Sequence, residues 1–406
     1  MAEIVQNPDV LRLLDELTRM EGRANPYPRY AQLRAASPLV RADDGAVVLT
    51  GYAECTTALR DPRLGHPPSE MLTQIFPQWT DHPALRTFYT SMLTINPPDH
   101  TRLRRLVSSA FTARRVQALR SAIETMVDDL LDDLSGGGTT DFVDAFAFPL
   151  PVNVIGELLG VPASDRPQFQ TLVREWTQVL EILSPEVLTR ADAAATTVRD
   201  YLGGLLEERR RSPEDDLLSA LARAQSEEDR LTPDEAVTTA ALLFAAGFET
   251  TTNLLANGLV ALLDHPDQFR RLGEEPDLAR SAVEELLRYD SPVQIGARMV
   301  LEPIELAGIT VDAGERIVAY LGAGNHDPAR FAEPDRLRLD REDNAPLSFG
   351  GGIHYCLGAP LARLEAQVAF PAIARRFPAL AGDGEPARRD SLSLKGFLSL
   401  PVRTNR

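Results

Sequence analysis

The chain has 406 residues, 44% of them hydrophobic, and a formal charge of −17. That length buries a large core and allows one big domain or two to three small ones; the charge excludes general nucleic-acid binding, which depends on cations set against phosphates. Cys55 and Cys356 lie too far apart in the chain to make a disulfide framework, and the start Met1-Ala-Glu-Ile-Val lacks a basic-then-apolar signal, so a reducing, cytoplasmic location is expected.

The first β signal is Val47-Val-Leu-Thr, followed by a helical pattern over Pro98–Phe111. There His100 and Arg104 stand at i and i+4, so that two donors converge on one anion, although such pairs on a surface helix are usually solvated. The run Ser135-Gly-Gly-Gly-Thr-Thr is the weakest point of continuity and reads equally well as a loop between helices.

The clearest helix starts at Thr232-Pro-Asp-Glu: Thr232 caps, Pro233 suits the first helical position and Glu235 completes a capping box. With a stop near Asp264-His-Pro it runs for about thirty residues, roughly 45 Å at 1.5 Å per residue. Its apolar stretch, Ala236–Leu263, is broken by Glu249, Thr250, Thr251, Thr252 and Asn253, which rules it out as a membrane span. Gly247 there costs about 1 kcal/mol against alanine, and an unpaired buried Glu249 costs more. Local rules broken together at one place are expected at a functional site, and a packed glycine with a satisfied acid explains the same residues.

Leu278–Tyr289 reads as a helix in which Glu285 and Arg288 share a face. Ile304–Val311 and Arg316–Tyr320 read as strands, and Pro360–Phe377 as a helix with its proline in the first turn. Ahead of that last helix lies Phe349-Gly-Gly-Gly-Ile-His-Tyr-Cys-Leu-Gly-Ala-Pro. Helix amides favour a thiolate at Cys356; His354 can donate to a carboxylate; glycines 350, 351, 352 and 358 admit a flat ligand. A lone cysteine in a Gly-rich turn is more often just a buried thiol. Zinc lacks a second Cys/His pair, and the glycines lack the dinucleotide-binding order.

The pattern Phe349-x-x-Gly352-x-His354-x-Cys356-x-Gly358 resembles the haem-binding signature of the cytochrome P-450 family at every defining position. That resemblance implies a mainly α fold with small β-sheets, one domain over residues 1–406, and haem b held between the long central helix and the cysteine-loop helix. It implies that Cys356 is the iron ligand, that His100, Arg104, Arg298 and His354 hold the propionates, and that Thr250 and Glu249 are the catalytic oxygen-binding and proton-relay residues. Glu285-Leu-Leu-Arg288 is similar to the family's structural E-x-x-R motif. Asn96 departs from the aspartate common at that position.

The activity implied is class 1.14 monooxygenation: O2 activated with electrons from NAD(P)H through a separate ferredoxin and reductase, and an apolar molecule hydroxylated or epoxidised. A bacterial polyketide or macrolide fits, by analogy with antibiotic-biosynthesis members. The same resemblance covers oxidases acting by coupling, desaturation or peroxide; a non-catalytic haem sensor lies outside the enzyme class. Arg102, Arg105, Arg114, Arg115 and Arg363 are expected to give the acidic chain a basic ferredoxin patch. The pocket is expected from Pro67–Ile95, Phe169–Leu183, Leu242, Phe244, Ala245, Val293–Ala297 and Gly396–Phe397, mostly apolar segments that include Trp79 and Trp176, and core packing explains many of the same residues.

Overall fold

A computed structural model describes residues 4–108, 111–180, 184–224 and 231–404. Its axis is the helix Pro233–Leu263, 31 residues long, with Pro233 in the first turn and both halves of the Thr232–Glu235 capping box formed. The residues before Glu249, from Ala236 to Phe248, belong to one apolar cluster; those from Leu254 to Leu262 belong to another. The polar run Glu249–Asn253 sits at the seam. Each fully buried leucine or phenylalanine on either side contributes about 1.5–3 kcal/mol of transfer free energy, so the helix is held at both ends while its middle stays polar.

The helices Pro149–Leu159, Pro185–Arg211, Ala279–Tyr289 and Ala359–Arg376 pack against this axis. Ala279–Tyr289 and Ala359–Arg376 lie within a residue of the expected boundaries, whereas the expected Pro98–Phe111 helix spans Asp99–Ser108, with residues 109–110 outside the described set.

The β-structure is small and marginal to the helices. A five-stranded sheet has the order Leu39–Arg41, Val47–Leu49, Arg316–Tyr320, Ile295–Val300, Leu64–Gly65, with only the second and third strands parallel. The segment Ile304–Val311 is a hairpin rather than one strand: Ile304–Leu306 turns through Ala307 and Gly308, both at positive φ, into Ile309–Val311. The glycine run after Ser135 opens onto the strand Gly138–Asp141, which pairs with the C-terminal strand Pro401–Thr404. That pairing ties residues near position 140 to the end of the chain, which the local sequence did not disclose. No helix among the described residues is long and apolar enough to cross a membrane.

Candidate active site

The loop bearing Cys356 is built on a buried polar frame. Glu285 and Arg288 are fully buried and joined by two bonds of 2.8 and 2.9 Å, and the same carboxylate takes Arg341 at 3.0 Å and Asn344 at 2.9 Å. Arg288 also donates to the carbonyl of Asn325, at 2.9 Å. Asn325 Oδ1 accepts from the Leu347 amide and its Nδ2 donates to Ser348 Oγ, which donates to the Leu287 carbonyl. The frame therefore ends on Phe349, whose carbonyl accepts from the amide of Cys356 at 2.9 Å. Arg341 and Asn344, more than fifty residues from Glu285, carried no sequence signal for this role.

The glycines of the loop do something other than expected. Gly352 has φ +63°, and a Cβ there would stand 2.5 Å from the Leu59 carbonyl; Gly351 likewise closes on Leu59 and Arg60. They dock the loop on the helix Tyr52–Arg60, and at Gly358 a Cβ would stand 3.9 Å from the sulfur of Cys356. Cys356 is exposed as a residue, yet the dense protein around its thiol raises the pKa more than the amides of Gly358 and Ala359 and the charges of Arg104 and Arg363 lower it. The helix start does not suffice to make a thiolate; a metal ion at the sulfur would.

Beside the loop three imidazoles stand in a row. His354 lies 4.2 Å from His100 and 4.8 Å from His66, centroid to centroid. His100 is 2% exposed with both ring nitrogens lacking a partner, and Nε2 of His354 and of His66 are buried and equally unpartnered. Burial, then the neighbouring imidazoles and arginines, depresses all three, His354 to about 3 and His66 to about 2, which favours their neutral forms. Arg104 donates to the Tyr355 carbonyl at 2.5 Å and Arg298 to that of Ala297 at 2.8 Å; among the described residues neither meets an acid. All five residues expected to hold a cofactor thus converge. Unsatisfied imidazoles beside cations without acids suit a bound anion. Among the described residues no group of three or more His, Cys, Asp or Glu is placed to hold a metal ion. An iron here would bring most of its ligands with it, as a porphyrin does.

Across from the loop, the central helix is buried over most of its length but opens at Ala246, Gly247 and Thr250, one turn of a single face. Thr250 donates its hydroxyl to the Ala246 carbonyl at 3.1 Å. Gly247 is explained by packing, since a Cβ there would meet Ile155 at 2.6 Å. Glu249 is buried and ion-paired with Arg389, which also donates to Thr177 Oγ1 at 3.0 Å. Arg389 is the partner that sequence reading lacked.

The cytochrome P450 family profile matches residues 69–404. The chain belongs to the cytochrome P450 family. It is 44% identical to the vitamin D(3) 25-hydroxylase of Pseudonocardia autotrophica, with 93% of each chain covered. It is 40% identical to the 6-deoxyerythronolide B hydroxylase of Saccharopolyspora erythraea, over 93% of this chain and 95% of the other. The solved cytochrome P450 PksS of the Bacillus subtilis 168 bacillaene polyketide synthase superposes with a TM-score of 0.86 at 36% identity, covering 96% of this chain and 99% of that one. This P450 is an oxidoreductase whose family carries haem iron, and the orphaned imidazoles and free arginines fit that group's paired carboxylates.

Three of the five arginines expected to face a ferredoxin have carboxylate neighbours in this P450: Arg102 pairs with Glu235, Arg115 with Asp215 at 3.6 Å, and Arg363 with Glu284 while stacking over Phe349 at 4.5 Å. An acidic chain supplies carboxylates to its own surface cations first. The indoles of Trp79 and Trp176 are buried and bonded to Thr73 Oγ1 and the Ala84 carbonyl, and Phe169 and Phe244 pack on each other at 4.8 Å. These contacts are what core packing gives, and the wall of an internal pocket is buried in the same way. The end of the expected pocket segment, residues 181–183, lies outside the described residues.

Proposed function

We propose that this P450 is a haem-thiolate monooxygenase with Cys356 as the iron's protein ligand and His100, Arg104, Arg298 and His354 on the propionates. The observation that carries this reading is the cradle itself, in which neutral, unpartnered imidazoles and two acid-free arginines flank the thiol of an exposed cysteine. The haem, when bound, supplies oxygen activation and transfer. One oxygen atom enters the substrate and the other leaves as water, with two electrons and two protons consumed. The electrons come from NAD(P)H through a separate reductase and ferredoxin in the cytoplasm.

The chain's own part is orientation and proton supply. Thr250 Oγ1 holds its proton toward Ala246 at the helix opening, and Glu249, once released from Arg389, moves a proton toward Thr250. The substrate is an apolar bacterial secondary metabolite of polyketide or macrolide type; the names of 6-deoxyerythronolide B hydroxylase and of the polyketide-synthase P450 PksS support that class. Carbon monoxide binding to the reduced protein tests the ligand: a Soret band typical of thiolate is expected, and a histidine-type band refutes it. Thr250→Ala is expected to lower product formed per NAD(P)H consumed by an order of magnitude or more, as loss of a proton-transfer group does. Unchanged coupling removes Thr250 from the chemistry.

A further inference from the structure

The strand Leu64–Gly65 pairs antiparallel with Val300 and Met299, a register that brings the next residue, His66, level with Arg298. One side chain holds the His66 backbone at both polar groups. Asn96 Oδ1 accepts from its amide at 2.9 Å, and Asn96 Nδ2 donates to its carbonyl at 2.8 Å. A Cβ at position 65 would stand 2.5 Å from Asn96 Oδ1, so Gly65 is part of the clamp. An aspartate at 96 could make the first bond and not the second, because it has no N–H.

The clamp fixes where the ring points. His66 meets His354 edge-on, at 88° between planes, and its Nε2 is buried with no protein partner. The groups that face it are Arg298, His354 and His100, with no acid among them. A neutral imidazole carries one N–H donor whichever tautomer it adopts, and a two-point backbone clamp that leaves such a nitrogen unmatched makes sense if the match arrives with a ligand.

We propose that His66 is a further haem-binding residue, its ring nitrogen donating to the propionate edge beside His354, His100 and Arg298. This rests on the reading of the site as a haem cradle and adds an anchor from a different strand. Asn96, whose side chain bonds His66 alone among the cradle residues while its carbonyl accepts from the His100 amide at 3.0 Å, acts through His66 as a positioning residue.

Haem transfer from the holoprotein to excess haem-free myoglobin measures the anchor directly. His66→Phe keeps an aromatic ring against His354 and removes the donor; His66→Gln restores a donor without the ring. His66→Phe is expected to lose haem about tenfold faster, equivalent to about 1.4 kcal/mol, with an unchanged carbon monoxide spectrum, while His66→Gln stays near the wild-type rate. Loss from His66→Phe at the wild-type rate overturns the proposal. Equally fast loss from both variants also overturns it, because packing rather than donation then holds the haem. A wild-type protein that takes up no haem, or shows a histidine-type carbon monoxide spectrum, overturns the underlying reading instead, and does so before any substitution is made.

Discussion

Two arginine-bearing regions of this P450, one fully buried and one half-buried, are opposite in how their charges are met. Behind the cysteine loop, Arg288 is fully buried and every arm is used, on Glu285 and on the carbonyls of Asn325, Pro334 and Arg336. Beside the loop, Arg298 and Arg104 rest on single backbone carbonyls, and the imidazoles of His66, His100 and His354 keep buried nitrogens without partners. Where the chain supplies every acceptor, the charge braces the fold. Where it supplies donors and withholds acceptors, the acceptor is a ligand. The difference separates structure from function without reference to position in the sequence.

The largest effect that tests this contrast is on the brace. Arg288→Met takes two bonds from buried Glu285 and strands the carbonyls of Asn325, Pro334 and Arg336, and breaking a buried pair costs about 3–5 kcal/mol. The denaturant midpoint of the holoprotein is expected to fall accordingly, and a loss under about 1 kcal/mol, the range of an exposed pair, breaks the comparison. Arg298→Met is the complement. Removing a half-buried cation with no acid should cost the holoprotein no more than about 1.4 kcal/mol, the amount by which an about tenfold faster loss of haem weakens the bound state. If Arg298→Met destabilises the fold as much as Arg288→Met, both regions are scaffold.

What the sequence disclosed follows the same division. The central helix was legible because its start is written locally, in Thr232, Pro233 and Glu235, and its polar interruption at Glu249–Asn253 falls where the two apolar clusters meet. The five cofactor candidates were legible through family resemblance, and they do converge. What stayed hidden depends on contacts between distant segments. Arg341 reaches Glu285 across 56 residues and Arg389 reaches Glu249 across 140. Gly351 and Gly352 are required by their close approach to Leu59, and His66 gains its meaning only when two strands and Asn96 set its register. A residue's neighbours at that range are a property of packing, which no local pattern encodes.

Glu365 tests the comparison from the other side. It lies in the cysteine-loop helix, 1% exposed, with Oε2 unpartnered, and burial raises its pKa well above the ordinary 4.5. It is a neutral acid in the scaffold, unsatisfied like the cradle but with no cation or imidazole among the causes of its shift. For a carboxyl whose folded pKa is raised, stability is fully present below the unfolded pKa and is lost as pH rises toward the folded one. The loss is at most about 1.4 kcal/mol per pH unit for a single group. Glu365→Gln removes that titration, so its holoprotein is expected to be more stable than wild type, with a margin larger at pH 8 than at pH 6, and with haem retention and turnover unchanged. A pH-independent margin means that the carboxyl is solvated. Faster haem loss in Glu365→Gln means that its unpartnered oxygen belongs to the ligand site after all, and the rule drawn from the arginines then extends to acids.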